Sequence, residues 1–286
     1  MTTVISTINL KGGVGKTSIT VALAEFLADE HRKKVLMIDL DPQTNATVTL
    51  MDENDWKVKD TAGETLLQLF KDKVEKTSKF SIDKALVKGA SKVGNGISRL
   101  DLLPSSLGLI EIQDQLAMVP SGHFFVTSPV SILYDAVNPI LNNYDFVLID
   151  CPPNLGIVTL NGINISDFYI IPAIPDVLST YGIPQILSRI KSFIAEKKGE
   201  KPTPLGIVVS MYRKQSHLHE SVLNDLKTKA ADGTYPRVFN TIIPLTVRIS
   251  ESADFTTKAN TLKQKYGYGT AYEDFRNLTK EMLTYV

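Results

Sequence analysis

Two lysines five residues apart, Lys11 and Lys16, bracket the glycines of the run INLKGGVGKTSIT at residues 8–20. Lysine, glycine and a following threonine at this spacing suit phosphate binding. The general phosphate-loop pattern is Gly-x-x-x-x-Gly-Lys-Ser/Thr. Gly15, Lys16 and Thr17 meet its end, whereas its first glycine position is Leu10. Gly12, Gly13 and Gly15 still permit a backbone turn that aims successive N–H groups at phosphate oxygens, and a following helix adds its positive end. In such a loop Lys16 neutralises the β and γ phosphates and the Thr17 hydroxyl ligates Mg²⁺. Lys11 precedes the glycines, so it cannot easily lie along its own bound phosphates as Lys16 does. It is placed to project outward, toward a nucleotide held by a second subunit.

Three carboxylates complete the chemistry. Asp39 and Asp41, in MIDLDPQTNAT, lie at the end of an apolar run with one residue between them, which puts both on one side. Asp150 ends the run FVLID, where a carboxylate holds Mg²⁺ directly or through water. Cys151 follows it directly, but its apolar surroundings suit a small buried residue better than a nucleophile. The four histidines have no zinc-ligand spacing with the single cysteine, so no metal beyond Mg²⁺ is expected.

These residues need strand ends and helix starts to hold them. TVISTINL (3–10), KVLMIDLD (34–41), YDFVLIDCPP (144–153), FYIIPAIP (168–175), LGIVVSMY (205–212) and VFNTIIP (238–244) read as short buried strands. Helical spacing marks TSITVALAEFLADEH, GIPQILSRIKSFIAEKK and LHESVLNDLKTKAA between them. Apolar strands alternating with helices predict a single α/β domain over residues 1–286, a mostly parallel twisted sheet with helices on both faces. Residues 51–135 read as an elaboration between the second strand and YDFVLID. No apolar run approaches the roughly 18 residues of a membrane span, and no signal peptide opens the chain. One cysteine excludes an intramolecular disulfide and suits a reducing, cytoplasmic compartment. Net charge is zero, yet 16 of 31 basic and 10 of 31 acidic residues lie from Ile186 onward, so the C-terminal part is the side suited to a polyanion.

The phosphate loop with its early lysine resembles the deviant Walker A motif of the ParA/MinD family of dimerising ATPases. DPQTNAT and DCPPNLGIVTLNGI closely match the ParA/Soj branch, with Thr44 for a usual glycine, Asn154 for serine and Gly162 for alanine. TIIPLTVRISE matches a further family motif, after which the usual Pro–Gly-rich continuation is lost over residues 254–270. The resemblance implies ATP and Mg²⁺ as ligands, with Lys11 reaching the partner's phosphates. It implies that Asp41 positions the attacking water, and that Thr17, Asp39 and Asp150 order the metal and its hydration shell. ATP contacts would come from residues Lys11, Gly12, Gly13, Val14, Gly15, Lys16, Thr17 and Ser18, with Met211 and Pro244 farther along.

It also implies an ATP-state homodimer on non-specific DNA, a nucleoid-associated location and a ParB-like activator. Arg189, Lys191, Arg213, Lys214 and Arg248 are the candidate DNA contacts, although Gln215 stands where relatives often carry arginine. No N-terminal helix-turn-helix segment precedes the first strand, which argues against operator binding. A MinD-like membrane cycle is the alternative. The C-terminal AYEDFRNLTKEMLTYV mixes both charge signs and reads as a packing helix, so no membrane contact is expected. A metabolic P-loop enzyme of related fold is the third reading and would have no need of Lys11.

Overall fold

The apolar runs assemble into one parallel sheet. The computed structural model describes residues 1–117, 128–246 and 259–286. β1 (Thr3–Thr7) leads through the glycine loop into α1 (Lys16–Asp29), and β2 (Val35–Asp39) follows. Next come α2 (Asn45–Leu50), α3 (Glu53–Thr61), α4 (Leu66–Glu75), α5 (Ile82–Ala85) and β3 (Leu100–Leu103). α6 (Leu109–Ala117) and α7 (Ile132–Leu141) precede β4 (Phe146–Asp150), and α8 (Ile157–Ile165) precedes β5 (Phe168–Ala173). α9 (Val177–Tyr181), α10 (Ile183–Glu196), β6 (Thr203–Val209), α11 (His217–Ala231), α12 (Leu262–Tyr266) and α13 (Thr270–Leu283) complete the order.

The sheet runs β3-β2-β4-β1-β5-β6, every neighbouring pair parallel. This is a P-loop NTPase-like α/β fold. Side chains alternate across it. Val35, Met37, Leu100, Leu102 and Leu148 pack against α1 and the C-terminal helices, while Leu36, Ile38, Leu103, Val147 and Ile149 face the other helical layer. α1 is buried on nearly every side, which is why its sequence is apolar all round rather than striped. α13 turns Tyr272, Phe275, Leu278 and Met282 into the core, as a packing helix should.

Two readings of the sequence need correction. Residues 51–135 are more than an elaboration, because they supply the edge strand β3 and, just beyond it, Ser105, whose hydroxyl donates to the Asp41 carbonyl at 2.8 Å. VFNTIIP is not a regular strand. Val238 and Pro244 make isolated bridges to Ile207 and Tyr212, but the amides of Asn240 and Thr241 donate to the Glu281 carboxylate at 2.7 and 2.8 Å. Those two amides are therefore lost to the sheet ladder.

The family substitutions also gain physical content. Thr44 adopts φ 57°, ψ 19°, a left-handed conformation that glycine reaches freely and that costs an L-residue roughly 1–2 kcal/mol. Gly162 lies against the strand layer: a Cβ there would sit 2.8 Å from Leu40 Cδ1 and 3.2 Å from Ile149 Cγ2. The bulk of Leu40 occupies the space an alanine methyl would need.

Candidate functional site

The parallel sheet gathers the sequence candidates at its carboxyl edge, where open α/β sheets bind ligands. The loop after β1 is fastened from below. The Asn9 amide donates to the Pro172 carbonyl at 2.7 Å, and Asn9 Oδ1 accepts the Lys11 N–H at 2.9 Å. Gly13 and Gly15 have φ of 73° and 79°, so the turn requires glycine there. A Cβ at Gly12 or Gly13 would meet nothing within 4 Å, which leaves the loop open on the side where phosphate must approach. Val14 is buried, and its carbonyl accepts the Ser210 hydroxyl at 2.7 Å. The first turn of α1 carries no acidic residue of its own, so nothing within the helix offsets its positive end.

Lys16 curls back over this loop. It is buried, and its ammonium donates to the Lys11 carbonyl at 3.2 Å. Burial lowers its pKa, opposed by the attraction of Asp150 and Asp41. The Thr17 hydroxyl donates to Asp150 Oδ2 at 2.6 Å. Asp150 Oδ1 is buried and has no hydrogen-bond partner among the described residues. Burial, with the charge of Asp39, pushes the Asp150 carboxyl well above the usual carboxylate range. Strand register explains the closeness of the two acids, since Asp39 on β2 pairs directly with Asp150 on β4.

An orphaned carboxylate oxygen beside a threonine hydroxyl fits a Mg²⁺ ion. Among the described residues no three His, Cys, Asp or Glu side chains form a cage of their own. That too suits Mg²⁺, which keeps waters and phosphates among its ligands and takes only one or two carboxylates.

Asp39 and Asp41 divide their tasks. Asp39 is fully buried; Oδ1 accepts the Asp41 N–H at 3.0 Å, and Oδ2 accepts the Thr47 N–H and hydroxyl at 2.8 and 2.7 Å. Burial, against those Thr47 bonds, pushes its pKa up to about 7. Its oxygens are spent on shaping the β2–α2 loop. Asp41 accepts the Gln43 N–H at Oδ1 (3.0 Å), which leaves Oδ2 without a hydrogen bond among the described residues. Thr47 closes the DPQTNAT motif without a role being readable from it, and Ser105 escaped the sequence reading.

Lys11 does not simply project outward. Its ammonium lies 3.1 Å from Asp176 Oδ2 and 3.0 Å from Ser179 Oγ, with the side chain one-third exposed at 34%. Burial alone would raise the Asp176 pKa, but the Ser179 N–H and the Lys11 ammonium together hold it below the usual range. Asp176 caps α9, whose Val177, Leu178 and Tyr181 are 64%, 74% and 72% exposed. The cap alone has a sequence signal, an Asp at the start of a short helical stretch, whereas its contact with Lys11 has none.

Met211 and Pro244 meet Gly15 and Ser18 in a mainly apolar pocket that Ile243 and Phe275 close, beside the phosphate loop.

Comparison with known proteins gives this geometry a family. The family described as "AAA domain" matches residues 2–201. The sporulation initiation inhibitor protein Soj of Bacillus subtilis is 30% identical over 250 residues, 87% of this chain and 87% of Soj. The chain belongs to the ParA/Soj family of ATPases. In fold this ParA-type chain resembles apo McdA from Cyanothece, with a TM-score of 0.75 at 24% identity over 99% of this chain and all of McdA. Cobyrinic acid a,c-diamide synthase from Mycobacterium smegmatis, solved with an ATP analogue and magnesium, superposes with a TM-score of 0.71. It is 26% identical over 99% of this chain and 95% of the synthase.

Of the predicted DNA contacts in this ParA-type chain, Arg189 and Lys191 are exposed on α10, and Arg213 and Lys214 are exposed between β6 and α11. Arg248 lies outside the described residues.

Proposed function

We propose that this ParA-type ATPase is an ATP-driven dimerisation switch that binds DNA without sequence preference and positions a cargo. ATP occupies the loop from Lys11 to Ser18, with its base against Met211 and Pro244. Thr17 and Asp150 hold Mg²⁺, which neutralises charge on the transferring phosphoryl group. Asp41 Oδ2 orients the attacking water, and Asp39 acts on that water and on the metal by fixing the Asp41 backbone. This is catalysis by positioning rather than by covalent chemistry.

The observation that carries the reading is the pairing of Lys11 with Asp176 beside an exposed apolar helix face. A lysine that Lys16 makes redundant for its own nucleotide sits next to Val177, Leu178 and Tyr181, which suit burial against a second copy. When ATP brings two copies together, Lys11 exchanges the Asp176 carboxylate for the partner's phosphate. The dimer doubles the basic residues facing DNA, a ParB-like protein stimulates hydrolysis, and hydrolysis returns the monomer.

DNA co-sedimentation tests the output of the switch. With ATP and Mg²⁺ the protein is expected to bind duplexes of unrelated sequence alike, losing roughly 10³–10⁵ in affinity between 50 and 200 mM salt if about 6–10 phosphates are neutralised. Replacing Arg189, Arg213 and Lys214 together should remove this binding while ATP-dependent dimerisation persists. Normal DNA binding by that variant would move the surface elsewhere, and co-sedimentation with anionic liposomes in place of DNA would favour a membrane cycle.

A further inference from the structure

The sheet has a second functional-looking end, opposite the phosphate loop. At its amino edge, a cleft of about 500 Å³ opens between the starts of β2, β3 and β4, bordered by Lys34, Lys88, Ser98, Arg99 and Asn143 over a floor of Asp101 and Tyr144. The floor is finished and buried. Tyr144 donates its hydroxyl to Asp101 Oδ2 at 2.7 Å, Lys88 reaches the same oxygen at 2.7 Å, and the Gly89 N–H takes Oδ1 at 3.2 Å. Burial, and then Asp101, push the Tyr144 pKa far up, so the phenol stays protonated and committed to that carboxylate.

The rim is different. Val35 pairs with Leu100, which sets Lys34 and Arg99 side by side immediately before the two strands begin. The Val35 N–H donates to the Arg99 carbonyl at 2.8 Å, and the Asp145 N–H donates to the Lys34 carbonyl at 2.8 Å, so both backbones are fixed. Adjacent strands lie about 4.8 Å apart, so the two cations leave neighbouring backbones. No carboxylate among the described residues lies within 4.0 Å of the Lys34 ammonium or the Arg99 guanidinium. Asp145, which the fold brings against Lys34, uses Oδ2 to accept the Lys34 N–H at 2.7 Å. Asp101 compensates only Lys88.

We infer that this cleft is a second ligand site, for a phosphorylated small molecule. The Arg99 fork and the Lys34 ammonium grip the phosphate. Ser98 and Asn143 offer hydroxyl and amide groups to a polar body such as a sugar. The concave shape favours a compact ligand, whereas an extended acidic chain is served by a charged stripe. β2 and β4, whose first residues follow Lys34 and Asp145 at this cleft, end at Asp39 and Asp150, so the cleft and the metal site lie at opposite ends of the same two strands.

Calorimetry on protein saturated with Mg²⁺ and a non-hydrolysable ATP analogue tests the site with the phosphate loop already filled. Ribose 5-phosphate and fructose 1,6-bisphosphate serve as probes, ribose as the uncharged control, and a poly-glutamate decapeptide as the acidic chain. The expected result is a saturable one-site isotherm for at least one sugar phosphate and none for ribose. A Lys34→Ala/Arg99→Ala variant should weaken it by about tenfold or more, as expected for lost hydrogen bonds to a charged group, with affinity for the ATP analogue unchanged. No saturable heat from either sugar phosphate, equal affinity in the double variant, or binding of the decapeptide alone would overturn the assignment.

Discussion

Lys11 and Lys16 stand in one loop yet inhabit opposite environments. Lys16 is 6% exposed and folded over the loop near Asp41 and Asp150, each of which keeps one oxygen without a hydrogen bond among the described residues. The side chain of Lys11 is 34% exposed and leans on an Asp176 that is itself 27% exposed, beside an apolar helix face open to solvent. An ion pair this open contributes only about 0.2–1 kcal/mol, because water screens it and two side chains lose freedom to form it. The first environment is built to hold one ligand in one geometry. The second is built to be given up. The proposed switch between a single copy and a pair needs both, and the four residues between the lysines separate the two tasks.

Substitutions that strike only one side sharpen the contrast. Asp41→Ala should have the largest effect, cutting ATP turnover about 10²-fold or more, the range for a residue that handles the reacting water. Nucleotide affinity and dimerisation should survive, as single-turnover hydrolysis and equilibrium binding would reveal. Wild-type turnover in that variant would return the water to another group. Lys16→Ala should weaken binding of a fluorescent ATP analogue by roughly ten- to a hundredfold through lost charge-assisted contacts, whereas Lys11→Ala should shift monomer affinity by only a few-fold. Equal losses in the two variants would break the distinction. Smallest of all, Asp176→Ala should free Lys11 and lower the ATP concentration needed for half-maximal dimerisation by no more than about fivefold, the equivalent of an exposed ion pair. A large impairment instead would mean that Asp176 acts in the dimer rather than against it.

The Lys16 side of this contrast was legible in the sequence, the Lys11 side only in part. β1, β2, β4, β5 and β6 announce themselves because parallel strands buried on both faces must be apolar throughout. β3 hid because it is four residues long and contains Asp101, an acid that only Tyr144, Lys88 and the Gly89 amide make tolerable inside. VFNTIIP misled for the reverse reason: its composition is that of a strand, but Glu281, forty residues away, claims two of its amides. The glycine spacing gave the phosphate loop, since left-handed turns at Gly13 and Gly15 are a local demand. The resting place of Lys11 depends on Asp176, 165 residues later, and no local pattern encodes such a contact. Spacing alone leaves Asp39 and Asp41 equivalent; the family resemblance gives them different tasks, and hydrogen bonding tells the loop-shaping acid from the one with a free oxygen.

Sedimentation velocity in an Asp41→Ala background tests the central claim most directly, because slow hydrolysis lets any ATP-bound pair accumulate. With ATP and Mg²⁺ the single variant should sediment as a dimer, and with ADP as a monomer. Adding Lys11→Ala should leave the nucleotide bound but return the protein to the monomer. A dimer that persists without Lys11 would contradict the assignment of this lysine to the partner's phosphates.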